Sequence, residues 1–206
     1  MERNPLRWPI GCLGGLLVIV FYCVFTLTSI LLYPGAVSPA TRYLSDFGNW
    51  GISPVGAFFY NAGCILTGIA LFLFYFGLSK WYTYEEKWRF VLIQITQVLG
   101  FISACALIMI GIYSEDAGRM HGISSAAFFT VNFFVMILAS TSLLTHPKFM
   151  KPIALYGYAV TLLSLVFDLT IDGPLTEWFT VFTALSFAGL LVINMLKVFG
   201  AAKKTP

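Results

Sequence analysis

The chain has 206 residues, of which 59% are hydrophobic, 17% are aromatic and only 10% are charged, against about 25% charged in an ordinary soluble domain. Its formal net charge is +3 and its mean hydropathy is +0.86. A soluble protein of this size cannot bury so much apolar surface. The same figures exclude a disordered chain, a collagen-like fibre and a disulfide scaffold. The composition therefore predicts an integral membrane protein.

Six apolar segments reach the length of about 20 residues that a helix needs to cross the hydrocarbon core. Lipid does not satisfy unpaired backbone groups, so these segments are predicted to be α-helices. Together they form one predicted domain over residues 1–206, an all-α bundle of six transmembrane helices. The predicted spans are Ile10 to Leu32, Pro54 to Leu78, Phe90 to Tyr113, Met120 to Leu144, Pro152 to Ile171 and Trp178 to Phe199.

Local signals support these spans. Ser53 followed by Pro54 is typical of a helix cap with proline at the first helical position. The first apolar run, of about 23 residues, is longer than the roughly 7–15 of a signal-peptide core, so we expect a retained helix. Within it, Gly11 and Gly15 form a GxxxG pattern that favours close helix packing. Four cysteines inside the spans resemble small core residues, namely Cys12, Cys23, Cys64 and Cys105.

Basic residues are distributed unevenly between the two sides of the predicted bundle. Ten of the twelve fall in the termini, the second-to-third loop and the fourth-to-fifth loop, which share one side when there are six spans. Cytoplasmic loops are enriched in Lys and Arg, so both termini are predicted to be cytoplasmic. Contact with anionic lipid suits these residues better than contact with nucleic acid. The ten are Arg3, Arg7, Lys80, Lys87, Arg89, Lys148, Lys151, Lys197, Lys203 and Lys204.

Acidic residues show the opposite distribution. The orientation rule does not concern acids, so their accumulation on the predicted outer side indicates where a site lies. Asp168 and Asp172 are four residues apart and share a helix face. Because Asp168 lies within a span, we expect it to face the bundle and to have a partner among Arg42, Arg119 and His121. The outer acids are Asp46, Glu115, Asp116, Asp168, Asp172 and Glu177.

The candidate site combines one imidazole with several carboxylates. His121 can titrate near neutral pH, and with Ser45, Asp46 and Glu115 it forms a candidate catalytic set for acid–base or Ser-His-Asp chemistry. The same groups include ligand types that zinc uses, although no HExxH spacing is present. In the alternative interpretation, the charged residues pair with one another and fix the outer loops. The candidate ligand-binding residues are Asp116, Asp168, Arg42, Arg119 and Asn61.

Short motifs are spread along the chain: Tyr33-Pro34-Gly35, Tyr43 to Gly48, Asn61, Gly68, Gly111 to Asp116, His121-Gly122 and Phe128-Phe129. Their order resembles a six-helix family of bacterial and archaeal membrane proteins catalogued only as a domain of unknown function. More distantly, it is similar to the damage-regulated autophagy modulator proteins, which share a Ser-Asp-x-Gly turn and a histidine opening the fourth helix. A related eukaryotic branch of these remodels the lipid of glycosylphosphatidylinositol anchors.

The resemblance implies a prokaryotic cell membrane and a shared site for Ser45, Asp46, Glu115 and His121, but it supplies no reaction. Where the family pattern has a Pro-Glu pair at the end of the third helix, this chain has Ser114 followed by Glu115. This departure concerns the geometry of the loop that carries part of the expected site.

Four functions are compatible with these observations. The leading one is binding or handling of a lipid or other small ligand at an outer-leaflet site, with Arg42 or Arg119 holding an anionic head group. The second is a lipid hydrolase or acyl transferase that uses His121 with carboxylates. The third is a proton-coupled carrier, and the fourth is a structural membrane protein. The sequence indicates no cofactor and no oligomeric state. The carrier requires a polar path through His121, Asn132, Gln94 and Gln97.

Overall fold

The structure is a computed structural model that describes residues 8–171 and 173–200. Within these ranges it contains six long α-helices and no strand. Each helix is long and apolar enough to cross a membrane, so the predicted all-α class and the predicted number of six long apolar helices are confirmed. The helices are α1 Ile10–Leu31, α2 Pro54–Gly77, α3 Lys87–Ile112, α4 Arg119–Leu144, α5 Lys151–Thr170 and α6 Pro174–Phe199.

Two helices begin earlier than hydropathy predicts. α3 begins at Lys87 rather than Phe90, and α6 begins at Pro174 rather than Trp178. Hydropathy marks the part of a helix that lies in hydrocarbon, whereas these first turns carry charged residues that extend beyond it. Pro174 suits the first helical position because that position leaves its N–H unpaired in any case. The predicted cap of α2 by Ser53 is confirmed.

Glycines allow α1 and α2 to pack with their backbones in contact. A Cβ atom added to Gly77 would lie 2.1 Å from the Cα atom of Gly11, and one added to Gly14 would lie 2.3 Å from the backbone nitrogen of Phe74. Gly15 is equally crowded, by a side chain of α6. The close packing predicted from the GxxxG pattern is therefore confirmed.

The helices form a ring in chain order. Each helix packs against the next, and α6 packs back against α1. Successive loops therefore alternate between two ends of the bundle. The acidic end comprises loops 32–53 and 113–118 and the α5–α6 turn, and it carries Asp46, Glu115, Asp116, Asp168 and Glu177. The basic end comprises loops 82–86 and 145–150, and it carries Lys80, Lys87, Arg89, Lys148, Lys151 and Lys197. Arg3, Arg7, Asp172, Lys203 and Lys204 lie outside the described residues.

Aromatic packing closes the basic end. The Trp81 side chain is fully buried, and its ring lies edge-on to those of His146, Phe149 and Phe199 at centroid distances of 5.0, 5.2 and 4.8 Å. Such edge-to-face pairs each add about 0.5–1.5 kcal/mol beyond the burial of apolar area. This cluster joins α6 to the short connections that follow α2 and α4.

The acidic half of the bundle is looser, chiefly because of α5. The buried residues of α5 all lie between Ile153 and Thr161, and most residues from 162 to 170 are exposed. Only 28% of the apolar stretch of α5 is buried, which is the lowest share among the six helices. α5 is therefore fixed to the ring through its basic half, and its acidic half borders lipid on most sides.

Candidate functional site

A cavity of about 90 Å³ lies inside the ring. Residues of α1, α2, α3, α4 and α6 line it, together with Ser45 of the 3₁₀ turn Ser45–Gly48. No residue of α5 among those described belongs to its lining. The cavity therefore follows the bundle axis from the acidic end and ends beneath the aromatic cluster of the basic end.

The lining changes in character with depth. Glu177 and Ser45 line the part of the cavity nearest the acidic end of the bundle. We call this part of the cavity the mouth. Next come Tyr60, Ser125 and Thr180, each six residues into its helix and thus about 9 Å below the helix start. These three side chains carry hydroxyl groups and come from three different helices. They form a polar layer, or tier, in the part of the cavity next to the mouth.

The deeper lining is almost entirely apolar. Thr67 and Asn132 lie about 20 Å below the starts of α2 and α4. The Thr67 hydroxyl has no hydrogen-bond partner among the described residues, and the Asn132 amide contacts only the sulfur of Met136, at 3.7 Å. Below them the lining includes the apolar side chains of Leu71, Phe74, Leu78, Val135, Met136 and Leu191.

Glu177 connects the mouth to the loop between α1 and α2. Its Oε2 atom accepts a hydrogen bond of 2.8 Å from the N–H of Leu44, the residue before the 3₁₀ turn. The next residue of α6, Trp178, donates its indole N–H to the carbonyl of Arg42 at 2.8 Å. Both bonds join residues more than 130 positions apart. The first turn of α6 therefore holds the long loop over the cavity.

Asp46, Glu115 and Asn61 stabilise the same loop from its other side. Asn61 donates to the carbonyl of Gly48 at 3.0 Å, and the amide of Asn49 donates to Glu115. Burial raises the pKa of the Asp46 carboxyl, while a hydrogen bond from the backbone N–H of Tyr43 acts in the opposite direction. None of the three lines the cavity. The structure thus brings these residues together in a loop network beside the mouth.

His121 forms a pair with a residue that the sequence analysis does not name. Its Nδ1 atom lies 2.9 Å from the carbonyl oxygen of Tyr113, and its Nε2 atom lies 3.2 Å from the Ser125 hydroxyl. Because a carbonyl only accepts, Nδ1 carries the proton and Nε2 is free to accept from Ser125. His121 is buried, and the serine that it bonds is Ser125. Ser45, the serine predicted to act with His121, lines the cavity at the mouth instead.

The remaining charged candidates face away from the cavity. Asp116 is exposed, and a hydrogen bond of 2.6 Å from the Ser114 hydroxyl holds its pKa below the ordinary value. Arg42 is exposed and lies over the ring of Tyr33, 5.7 Å from its centroid. Arg119 is exposed at the first residue of α4. The structure therefore does not bring either arginine to the cavity.

Asp168 does not have the orientation that we expected. It is exposed, and it makes no hydrogen bond or ion pair with another described residue. The physical reason is the position of α5, whose residues from 162 to 170 are mostly exposed even though Phe167 packs on Phe179 of α6 at a centroid distance of 4.7 Å. Asp172, its expected neighbour on that face, lies outside the described residues.

The geometry gives little support to a metal site or to a proton-coupled carrier. Across residues 8–171 and 173–200, no three His, Cys, Asp or Glu residues are grouped so that they could hold a metal ion. Gln97 uses its amide on the carbonyls of Tyr75 and Phe76, at 2.9 and 3.2 Å, and Gln94 is exposed. Neither glutamine lines the cavity, and among the described residues Tyr75 is the only polar lining residue deeper than Asn132.

Sequence reasoning did not identify Ser125, Thr180 or the position of Glu177 at the mouth. Ser125 could have been found, because it lies four residues after His121 and so on the same helix face. Glu177 carried a weaker signal, as an acid in the first turn of a helix. Thr180 could have been found in the same way, because it lies three residues after Glu177 and so on the same face of α6.

Six apolar helices around a central cavity define an integral, multi-pass membrane protein. The chain belongs to the family described as Protein of unknown function (DUF998), whose model matches residues 16–202. This confirms the resemblance to an uncharacterised family of membrane proteins. No curated protein matches the chain, and no solved structure does. The more distant similarity to the damage-regulated autophagy modulators stays a prediction.

Proposed function

We propose that this protein binds a single membrane lipid, with the head group at the mouth and an acyl chain in the cavity. The observation that carries the proposal is the polarity of the lining, from Glu177 and Ser45 through a tier of hydroxyl groups to an apolar interior. A lipid has the same order of groups along its length. From Glu177 to Leu191 the cavity extends about 21 Å along α6, more than one leaflet of a hydrocarbon core about 30 Å thick.

A lipid would enter the cavity beside α5. α5 contributes nothing to the described lining, and its acidic half is mostly exposed. On either side of it, Phe128 of α4 and Val181 of α6 line the cavity while remaining partly exposed. A chain sliding between α4 and α6 would therefore stay within hydrocarbon from the bilayer to the cavity.

We also propose the orientation of the bundle and the membrane that contains it. The basic end lies in the cytoplasm, which agrees with the enrichment of Lys and Arg in cytoplasmic loops. The acidic end then places the mouth at the outer leaflet, and both termini are cytoplasmic. Resemblance to bacterial and archaeal proteins supports a prokaryotic cell membrane.

The experiment fills the cavity with a side chain. Ala184 lines the cavity, and Ala127 is exposed on α4 at a comparable distance from the acidic end. We expect Ala184→Phe to lose most of the phospholipid that copurifies with the wild type, as measured by native mass spectrometry. Ala127→Phe is the matched control and should retain that lipid. Equal retention by both variants would refute lipid binding in the cavity.

The Ser125–His121 pair supports a second candidate function, hydrolysis of a lipid ester. The Ser125 oxygen would attack the ester carbonyl, and Nε2 of His121 would take the hydroxyl proton and pass it to the departing alcohol. Water would then cleave the acyl-serine and release a fatty acid. Ser125 lines the cavity about 9 Å below the start of α4, between the mouth and the apolar interior.

The neighbouring serine provides a control for this candidate. Ser124 donates to the carbonyl of Met120 at 2.9 Å and does not line the cavity. We expect Ser125→Ala to abolish the release of fatty acid while lipid retention is unchanged, and Ser124→Ala to keep both. If purified wild-type protein releases no fatty acid from phospholipid in detergent, the enzyme is excluded and lipid binding alone stands.

A further inference from the structure

Glu177 is the one charged side chain among the described residues that line the cavity. Its carboxylate accepts the N–H of Leu44, yet a carboxylate has about four acceptor positions, so capacity remains for a ligand. A buried carboxylate is costly unless an opposite charge or several donors compensate it. No Lys, Arg or His of the described chain lies in the lining to provide that charge.

The two basic residues of the acidic end do not supply it either. Arg42 lies over Tyr33, and Arg119 begins α4; both are exposed and neither lines the cavity. Throughout residues 8–171 and 173–200, the only ion pair joins Arg89 to Glu86, at the basic end. The geometry therefore opposes the anionic head group that the sequence led us to expect.

We propose, resting on the lipid-binding function above, that Glu177 makes the mouth selective for a lipid whose head group carries an ammonium. The ammonium donates hydrogen bonds to the free acceptor positions of the carboxylate and supplies the compensating charge. An anionic head group would instead meet an uncompensated carboxylate and the net negative charge of the acidic end. Phosphatidylethanolamine represents the first class, and phosphatidylglycerol represents the second.

The test is a direct competition between these two lipids. Purified protein in a mild detergent is exposed to an equimolar mixture of phosphatidylethanolamine and phosphatidylglycerol with identical acyl chains, and native mass spectrometry gives the ratio of the two bound forms. We expect the wild type to favour phosphatidylethanolamine by on the order of tenfold, the effect of one charged hydrogen bond. Glu177→Gln should bring the ratio close to one.

Two further variants distinguish the effect of the Glu177 carboxylate from the effect of the other charges at the acidic end. Glu177→Asp keeps the charge and should keep most of the preference, which shows that a loss in Glu177→Gln is not a folding defect. Asp168→Asn removes an exposed carboxylate from the same end and should leave the ratio unchanged. An equal loss in Asp168→Asn would assign the preference to the general field of the acidic end and overturn the inference.

The outcome also distinguishes this inference from the function on which it rests. If the wild type binds both lipids equally and Ala184→Phe binds neither, lipid binding stands and head-group selection by Glu177 fails. If Ala184→Phe binds as much lipid as the wild type, the lipid-binding proposal itself fails. A preference for phosphatidylglycerol in the wild type would contradict the role of Glu177 directly.

Discussion

Glu177 links the cavity to the loop above it. The same carboxylate borders the cavity and holds the N–H of Leu44, so any ligand that bonds this group also acts on the anchor of loop 32–53. Leu44 and Phe47 are fully buried, which makes the loop a packed cover. A change of charge at this side chain is thus coupled to the packing of Leu44 and Phe47 in the loop above the mouth.

His146 provides a prediction about pH at the opposite end. It is buried against Trp81, and its Nδ1 atom accepts a hydrogen bond of 3.2 Å from the N–H of Lys148. Burial, with the nearby positive charges of Arg89 and Lys148, lowers the pKa of His146 below 6.5. A lowered pKa means that the stabilising contribution is complete above the unfolded value and is lost as pH falls through the folded one.

We therefore expect the unfolding midpoint of the wild type to fall as pH is lowered below about 6.5. His146→Gln keeps an acceptor but cannot be protonated, so its midpoint should depend less on pH in this range. The measurement is a series of thermal unfolding curves in detergent. The explanation fails if both proteins show the same pH dependence, because another group would then be responsible.

The packing of α1 on α2 gives a prediction for a whole helix pair. A Cβ atom at Gly77 would lie 2.1 Å from Gly11 Cα, and this atom belongs to backbone that cannot move aside as a side chain does. Gly77→Ala must separate the helices, and overpacking of this kind costs about 1–3 kcal/mol. We expect a clear drop in the unfolding midpoint in detergent.

A second glycine shows whether the effect comes from the contact. Gly122 lies near the start of α4, and an added Cβ atom would meet nothing within 4 Å. Gly122→Ala should leave stability unchanged or raise it by up to about 1 kcal/mol, because alanine is the better helix former. Similar losses in the two variants would indicate that close α1–α2 contact is not what Gly77 provides.

At the scale of helices, the sequence predicts which segments span the membrane but not how they are rotated. Length and hydropathy defined all six spans, since crossing hydrocarbon demands about 20 apolar residues. α5 shows the limit: residues that face lipid are as apolar as residues that face the core, so the sequence did not indicate that most of its acidic half is exposed. Asp168 was expected to face inward because a charged side chain within a span is costly when it faces lipid. The His121–Ser125 pair depended only on helical spacing and was accessible from the sequence.

The two ends of the molecule differ in packing as well as in charge. The basic end is sealed by Trp81 and its three aromatic neighbours, while the acidic end leads through the mouth into the cavity. The carboxylate and most of the hydroxyl groups of the lining lie towards the acidic end of the cavity. Below Asn132 the lining is apolar apart from Tyr75.

The side of the membrane on which the mouth lies can be measured with two single cysteines. Ala117 and Lys148 are both exposed, the first in a loop of the acidic end and the second in a loop of the basic end. Positive residues keep loops in the cytoplasm, so a membrane-impermeant maleimide should label the Ala117→Cys variant in intact cells. The Lys148→Cys variant should react only after the cells are permeabilised.

The wild type is the control, since its four cysteines lie within the spans. Labelling of the Lys148→Cys variant alone in intact cells would invert the bundle and place the mouth at the inner leaflet.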